Sequence, residues 1–143
     1  MTDDGRVEVS APATPEMMNL AHDAIERLWS VHEGVGTVER IRFETAVVEI
    51  LGNIIEHAYE LDTSGNPQTR RFDLALTVTD EEVVAEFGDD GRPVALDLSA
   101  VAMPDDEAES GRGLAMAKAA VDDLSYDRVE GRNHWRLSVR RQA

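Results

Sequence analysis

The sequence predicts an α+β fold in two layers, with helices on one face of a mixed, mostly antiparallel sheet, and three features of the chain carry that expectation. Strand-like and helix-like segments follow in the order β–α–α–β–β–loop–α–β–β, without the strict alternation that builds a parallel α/β sheet. One long helix carries a broad apolar stripe. Two pairs of alternating segments are joined by short polar turns, the pattern of hairpins.

Residues 6–10 alternate polar and apolar side chains and read as a half-buried strand that ends at Pro12. Thr14 then offers an N-cap and Pro15 the first helical position, with Met18, Ala21, Ile25, Leu28 and Trp29 on one face of the helix that follows. Gly34 and Gly36 stop it. A second helix opens at Thr37 and runs to about Leu61, its stripe made of Ile41, Ala46, Val47, Ile50, Leu51, Ile54, Ile55 and Ala58. Residues 62–67 are a turn by composition, and residues 72–78 and 83–87 are expected to pair as a hairpin. Residues 88–113 are longer than a plain connection needs, and part of them is expected to act as a lid. A last helix is expected from Leu114 to Asp122, then strands at 124–129 and 135–140 around a turn at 130–133. Trp29 and Trp135 read as core or interface anchors, His22 and His32 as surface residues.

With 143 residues, 42% of them hydrophobic and 30% charged, the chain is expected to form one domain over residues 1–143. Twenty-nine Asp and Glu against fourteen Lys and Arg leave a net charge of −15. That balance disfavours direct contact with nucleic acid or an anionic membrane and makes basic proteins a natural class of partner. A nucleotide stays compatible with it, because backbone N–H groups and a bound Mg²⁺ make one site locally favourable on an acidic surface. The absence of cysteine removes disulfides, thiolate zinc sites and cysteine nucleophiles. Residues 1–10 hold no apolar run of signal-peptide length, and no later run approaches the ~20 apolar residues that cross a bilayer, so a cytoplasmic location is expected.

Three short patterns carry chemistry. Glu49 and Asn53 in the second helix are four residues apart and share a face, with Glu56 and His57 a turn further on. An asparagine carbonyl oxygen suits Mg²⁺, and a neighbouring carboxylate suits proton abstraction from a hydroxyl; the plain alternative is a solvated polar face. Gly88, Asp89, Asp90 and Gly91 follow a strand, where a carboxylate can accept the exocyclic N–H of adenine and glycine lets the ring approach, the alternative being a simple turn. Ser110, Gly111, Arg112, Gly113 and Leu114 are expected to lead into the last helix, whose free N–H groups and dipole can receive phosphates, with Arg112 as a cationic fork; the alternative is a linker. No Walker loop occurs.

In this order the three patterns resemble the three boxes of the Bergerat-fold (GHKL) ATPases. The wording around Asn53, His57, Ala58 and Tyr59, and the run Gly111, Arg112, Gly113, Leu114, are most similar to the RsbW and SpoIIAB type of anti-sigma-factor serine kinase. The resemblance spans residues 14–141 and implies a two-layer Bergerat fold with ATP and Mg²⁺ as cofactors. It implies Asn53 as the Mg²⁺ ligand, Glu49 as general base, Asp89 with Gly91 at the adenine, and Gly111, Arg112, Gly113 and Leu114 around the phosphates. It implies further that the γ-phosphoryl goes to a serine of an STAS-domain anti-anti-sigma protein, that the same chain sequesters a sigma factor, and that it acts as a homodimer. A non-enzymatic ATP-binding switch is the other class of function the boxes allow. The stretch around Asn133 stands where some relatives place a threonine near the adenine.

Overall fold

In the computed structural model of the chain, residues 6–61, 71–91 and 109–141 are described, with 57–61 and 109–112 described by backbone alone. The elements are β1 (Val7–Pro12), a 3₁₀ turn (Pro15–Met17), α1 (Met18–Val31), α2 (Thr37–Leu61), β2 (Arg71–Val78), β3 (Glu82–Asp89), α3 (Glu109–Ala120), β4 (Asp123–Val129) and β5 (Arg132–Arg140). Their order is the expected one. The turn expected at 62–67 and the lid expected within 88–113 lie outside the described residues, except for residues 88–91 and 109–113 at the ends of the latter.

The five strands form one sheet in the order β1-β2-β3-β5-β4. Every pair among them is antiparallel, so the mixed sheet allowed for by the sequence reduces to an antiparallel one. Hairpins account for two of the four pairings, and the crossover through α3 brings β5 back against β3 in the opposite direction. Between β4 and β5 the chain reverses in two residues, Val129 pairing with Arg132. Glu130 and Gly131 both take positive φ there, 50° and 79°, which matches the right-handed twist of the flanking strands.

Alternation along the strands puts Phe72, Leu74 and Leu76 of β2, Val83, Ala85 and Phe87 of β3, and Trp135, Leu137 and Val139 of β5 on one buried face. The helices cover that face. Thr14 has the extended backbone of an N-cap but makes no side-chain capping bond; the N–H of Met17 instead bonds its carbonyl at 3.0 Å, and a 3₁₀ turn precedes α1. Ala21, Ile25, Leu28 and Trp29 are buried as their spacing requires. Trp29 stands edge-on to Phe43 of α2, with ring centroids 5.6 Å apart, and donates its indole N–H to Glu44 at 2.6 Å. An indole buried with its N–H satisfied ties α1 to α2 at little polar cost.

In α2 the buried set is Phe43, Ala46, Val47, Ile50, Leu51, Ile54 and Ile55. Ile41 does not belong to it and is 59% exposed. At about 100° per residue Ile41 points ~140° away from the centre of that set, so its apolar character reflects no core position. Glu39 is buried, its carboxylate folded back over Gly36, where an added Cβ would stand 2.6 Å from Oε2.

The far end of α3 is held by charge. Arg42 of α2 donates from Nε to the carbonyl of Ala120 at 2.8 Å and pairs with Asp122 at 3.3 Å, while the N–H of Arg140 bonds the other Asp122 oxygen at 2.6 Å. The Arg140 N–H, and after it the Arg42 guanidinium, hold the Asp122 carboxyl below its ordinary value against the burial that pushes it up. A carboxyl lowered by folding stabilises the protein above its ordinary pKa, and loses that contribution as the pH falls through the lowered one. Asp122→Asn is therefore expected to lower the urea midpoint at pH 7, and the gap to the parent protein is expected to close on acidification, measured by urea titrations at a series of pH values.

Candidate active site

Glu49 and Asn53 lie off the α2 stripe, about 140° and 100° from its centre, and yet stand half-buried. That side of the helix meets α3. Arg42 grips Ala120 and, seven residues on, Glu49 meets Gly113, itself seven residues before Ala120. The two helices therefore run antiparallel with matched turns. The contact at Gly113 is close: a Cβ there would stand 2.5 Å from Glu49 Oε2, so only glycine leaves the carboxylate its place. Thus the first and third sequence patterns converge on one seam.

The second pattern closes β3. Asp89 is 6% exposed and lies on the helix-covered face, opposite Phe72 on one side and Asn133 on the other. Its Oδ1 accepts from the N–H of Gly91 and from Nδ2 of Asn133, both at 2.9 Å. Its Oδ2 has no protein partner among the described residues, as befits a carboxylate kept to accept from a ligand. A Cβ on Gly91 would stand 2.9 Å from Asp89 Oδ1, so this glycine too is required by a close approach. Asp90 turns the other way and accepts from the N–H of Arg71 at 3.0 Å, fixing the turn.

Three residues of this cluster carry no pattern of their own. Asn133, 1% exposed, accepts at Oδ1 from the hydroxyl of Tyr126 and from Arg128 at 3.0 Å, and the same Arg128 nitrogen donates to the carbonyl of Gly91 at 2.7 Å. The threonine position of relatives pointed to the neighbourhood of Asn133, but not to Arg128 or Tyr126. The signal for them was the two-residue turn, which sets Arg128 directly across from Asn133 and Tyr126 across from Trp135.

The glycine pattern departs from expectation in its local structure. The helix begins at Glu109 rather than Leu114 and ends at Ala120, so Gly111, Arg112 and Gly113 occupy its opening turns instead of a loop ahead of it. In that register the N–H groups of Glu109, Ser110 and Gly111 have no acceptor within the helix, while those of Gly113 and Leu114 lie inside it. Leu114 is buried at 7% and packs in the core, so its side chain serves packing rather than a ligand. Two glycines weaken these turns by roughly 1 kcal/mol each relative to alanine, which makes them the part of α3 most easily rearranged. The side chains of Arg112 and His57 lie outside the described residues, His22 is exposed, and His32 is half-buried.

A groove of about 420 Å³ opens on the other face of the sheet, lined by Ser10, Asp73, Glu86, Gly88, Arg132 and His134 among others. None of Glu49, Asn53, Asp89 or Gly113 reaches it, so it is separate from the seam.

A family model described as the histidine kinase-like ATPase domain matches residues 11–139. The chain belongs to the histidine kinase-like ATPase family. It is 32% identical over 146 residues to the serine/threonine-protein kinase BtrW of Bordetella bronchiseptica, covering 96% of this chain and 92% of that one. Among solved structures it is similar to the RsbU and RsbW domains of a Mycobacterium tuberculosis protein, with TM-score 0.66, 18% identity and 96% of this chain covered. This chain spans 33% of that longer one. It is similar also to the Pseudomonas aeruginosa SiaB–SiaC complex, with TM-score 0.62, 14% identity, and coverage of 94% of this chain and 89% of that one. These two likenesses bear out the fold.

An ATPase domain of this family implies ATP, and the donor set fits one. Asp89 offers an acceptor without a protein partner among the described residues at a buried strand end, Gly91 and Gly113 leave the Asp89 and Glu49 carboxylates their places, and Asn53 is a neutral oxygen donor one turn beyond Glu49. Among the described residues no helix is long and apolar enough to cross a membrane. Gly91→Ala is expected to push the Asp89 carboxylate off its two donors and cost about 1–2 kcal/mol of stability, read from urea denaturation.

Proposed function

We propose that this ATPase domain is a protein-serine kinase of a partner switch. It binds ATP with Mg²⁺, transfers the γ-phosphoryl to a serine of an STAS-domain anti-anti-sigma protein, and sequesters a sigma factor, working as a homodimer. The observation that carries the reading is the seam at which the Glu49 carboxylate stands against Gly113, an acid held at the start of a glycine-bearing helix. The 32% identity to a protein named as a serine/threonine-protein kinase supports it.

Each residue has a definite task in this scheme. Asp89 accepts from the exocyclic amine of adenine through its free oxygen and so anchors the base. The free N–H groups opening α3, with Arg112 beside them, face the phosphates at the positive end of the helix dipole. Asn53 would hold Mg²⁺, which neutralises phosphate charge when bound. Glu49 takes the proton from the incoming serine hydroxyl, leaving its oxygen free to attack in line with the departing diphosphate. The acidic surface, −15 overall, suits basic segments on protein partners.

Asp89→Ala is expected to lower ATP affinity by about 100-fold, seen by calorimetry in the presence of magnesium. Glu49→Ala is expected to keep the heat of ATP binding yet slow the labelling of an STAS-domain acceptor from γ-labelled ATP by roughly 10²–10⁴-fold. Labelling that persists undiminished would remove Glu49 as the base. Binding of ATP by the unaltered protein with no labelling of the acceptor would leave the ATP-binding switch as the function. Gly113→Ala is expected to move the Glu49 carboxylate rather than unfold the helix, so its thermal midpoint holds while transfer falls at least ~10-fold.

A further inference from the structure

The carboxylate of Asp89 is positioned by an asparagine whose own orientation is imposed from the edge strand. An amide has a donor end and an acceptor end, so it sits either way round unless its neighbours decide. Oδ1 of Asn133 receives two donors, the Tyr126 hydroxyl and the Arg128 guanidinium. They are not equivalent. A tyrosine hydroxyl both donates and accepts and would tolerate the reversed amide, whereas a guanidinium only donates and would then face an NH₂ group. Arg128 on one side, with the acceptor-only carboxylate of Asp89 on the other, therefore opposes the reversal, and Nδ2 points at Asp89 Oδ1, which it meets at 2.9 Å.

The consequence falls on the ligand side of Asp89. With Oδ1 engaged by Asn133 and by the N–H of Gly91, the carboxylate keeps its other oxygen, which has no protein partner among the described residues, as an acceptor. Were the amide reversed, an oxygen would face the carboxylate, and the pair would be relieved only by a proton between them or by displacement of Asp89. Adenine presents an N–H₂ donor at its six position and guanine a carbonyl acceptor, so an acceptor-only oxygen admits the first and rejects the second. The same Arg128 nitrogen also holds the carbonyl of Gly91, which fixes the turn whose N–H completes the set.

We propose that Arg128 is a positioning residue for purine selection, orienting Asp89 through Asn133 so that the pocket takes adenine and refuses guanine. The proposal rests on the reading of Asp89 as the adenine acceptor, and goes beyond it by assigning the selectivity to a residue on β4. Arg128 is exposed at the strand edge, so replacing it leaves the core intact.

Calorimetry with Mg-ATP and with Mg-GTP on the unaltered protein, on Arg128→Met and on Tyr126→Phe tests it. Arg128→Met is expected to lose about tenfold in ATP affinity and to narrow the ATP-over-GTP ratio by about tenfold or more. Tyr126→Phe is expected to keep that ratio, because the hydroxyl it removes is compatible with either orientation of the amide. An unchanged ratio in Arg128→Met, with ATP binding intact in the unaltered protein, overturns the proposal and leaves the adenine pocket standing. No ATP uptake by the unaltered protein overturns both. A measurement that needs no variant to fold is the ¹⁵N-resolved side-chain amide of Asn133 in the unaltered protein. Slow solvent exchange of its protons supports the imposed orientation, and free exchange contradicts it.

Discussion

The antiparallel seam between α2 and α3 is the constraint on which the rest of the structure depends. Arg42 and Glu49 are two turns apart on α2, and Ala120 and Gly113 are two turns apart on α3, so one register satisfies both contacts at once. A slip of one residue in either helix would turn Glu49 away from the glycine and Arg42 away from the carbonyl that ends α3. The same arginine reaches Asp122, which receives the N–H of Arg140, so the seam is continued into the sheet. A long helix with one apolar face buried on a sheet thus uses its flank to set a second helix, and the flank is where the acid and the amide are.

At the sheet's other working point the ordering principle is polarity rather than packing. Asp89, Asn133, Tyr126, Arg128 and Gly91 form a set in which each described hydrogen bond has one donor and one acceptor, and the order of donors leaves one carboxylate oxygen without a protein partner among the described residues. A buried carboxylate this well oriented can discriminate between ligands by hydrogen-bond direction, which size alone does poorly between two purines. Placing it at the end of β3, between Phe72 of β2 and Asn133 of β5, gives it support from both sides, with β4 reaching it through Asn133.

Element type and order were legible because periodicity reports burial. The strand at Phe72, Leu74 and Leu76 alternates, the one at Val83, Ala85 and Phe87 does so apart from the buried Val84, and α2 from Ala46 to Ile55 repeats at helical spacing. Ile41 misled because hydrophobicity marks a preference for burial and not its occurrence; it points away from the buried face while Glu39 and Phe43 on either side of it are covered. Thr14 misled because a capping residue type does not oblige a capping bond when a 3₁₀ turn satisfies the same backbone groups. The start of α3 was placed five residues late because glycine lowers helix propensity without forbidding helix, and contact with α2 outweighs a cost of roughly 1 kcal/mol per glycine. Gly113 stands in that helix against Glu49, a contact no local rule could supply.

By itself the sequence determined the alternating and helical segments, the acidic surface, and three short patterns whose chemistry and order point to a histidine kinase-like ATPase. Those are local properties, set by side-chain type and spacing along one stretch of chain. Only the tertiary structure decided that Glu49 faces Gly113 across two helices, that Asp89 shares one oxygen between Gly91 and Asn133, and that Arg128 donates to the oxygen of that asparagine. These are relations between residues far apart in the chain or across a hairpin. Their hydrogen-bond directions and close approaches exist only once the strands are in register and the helices are packed.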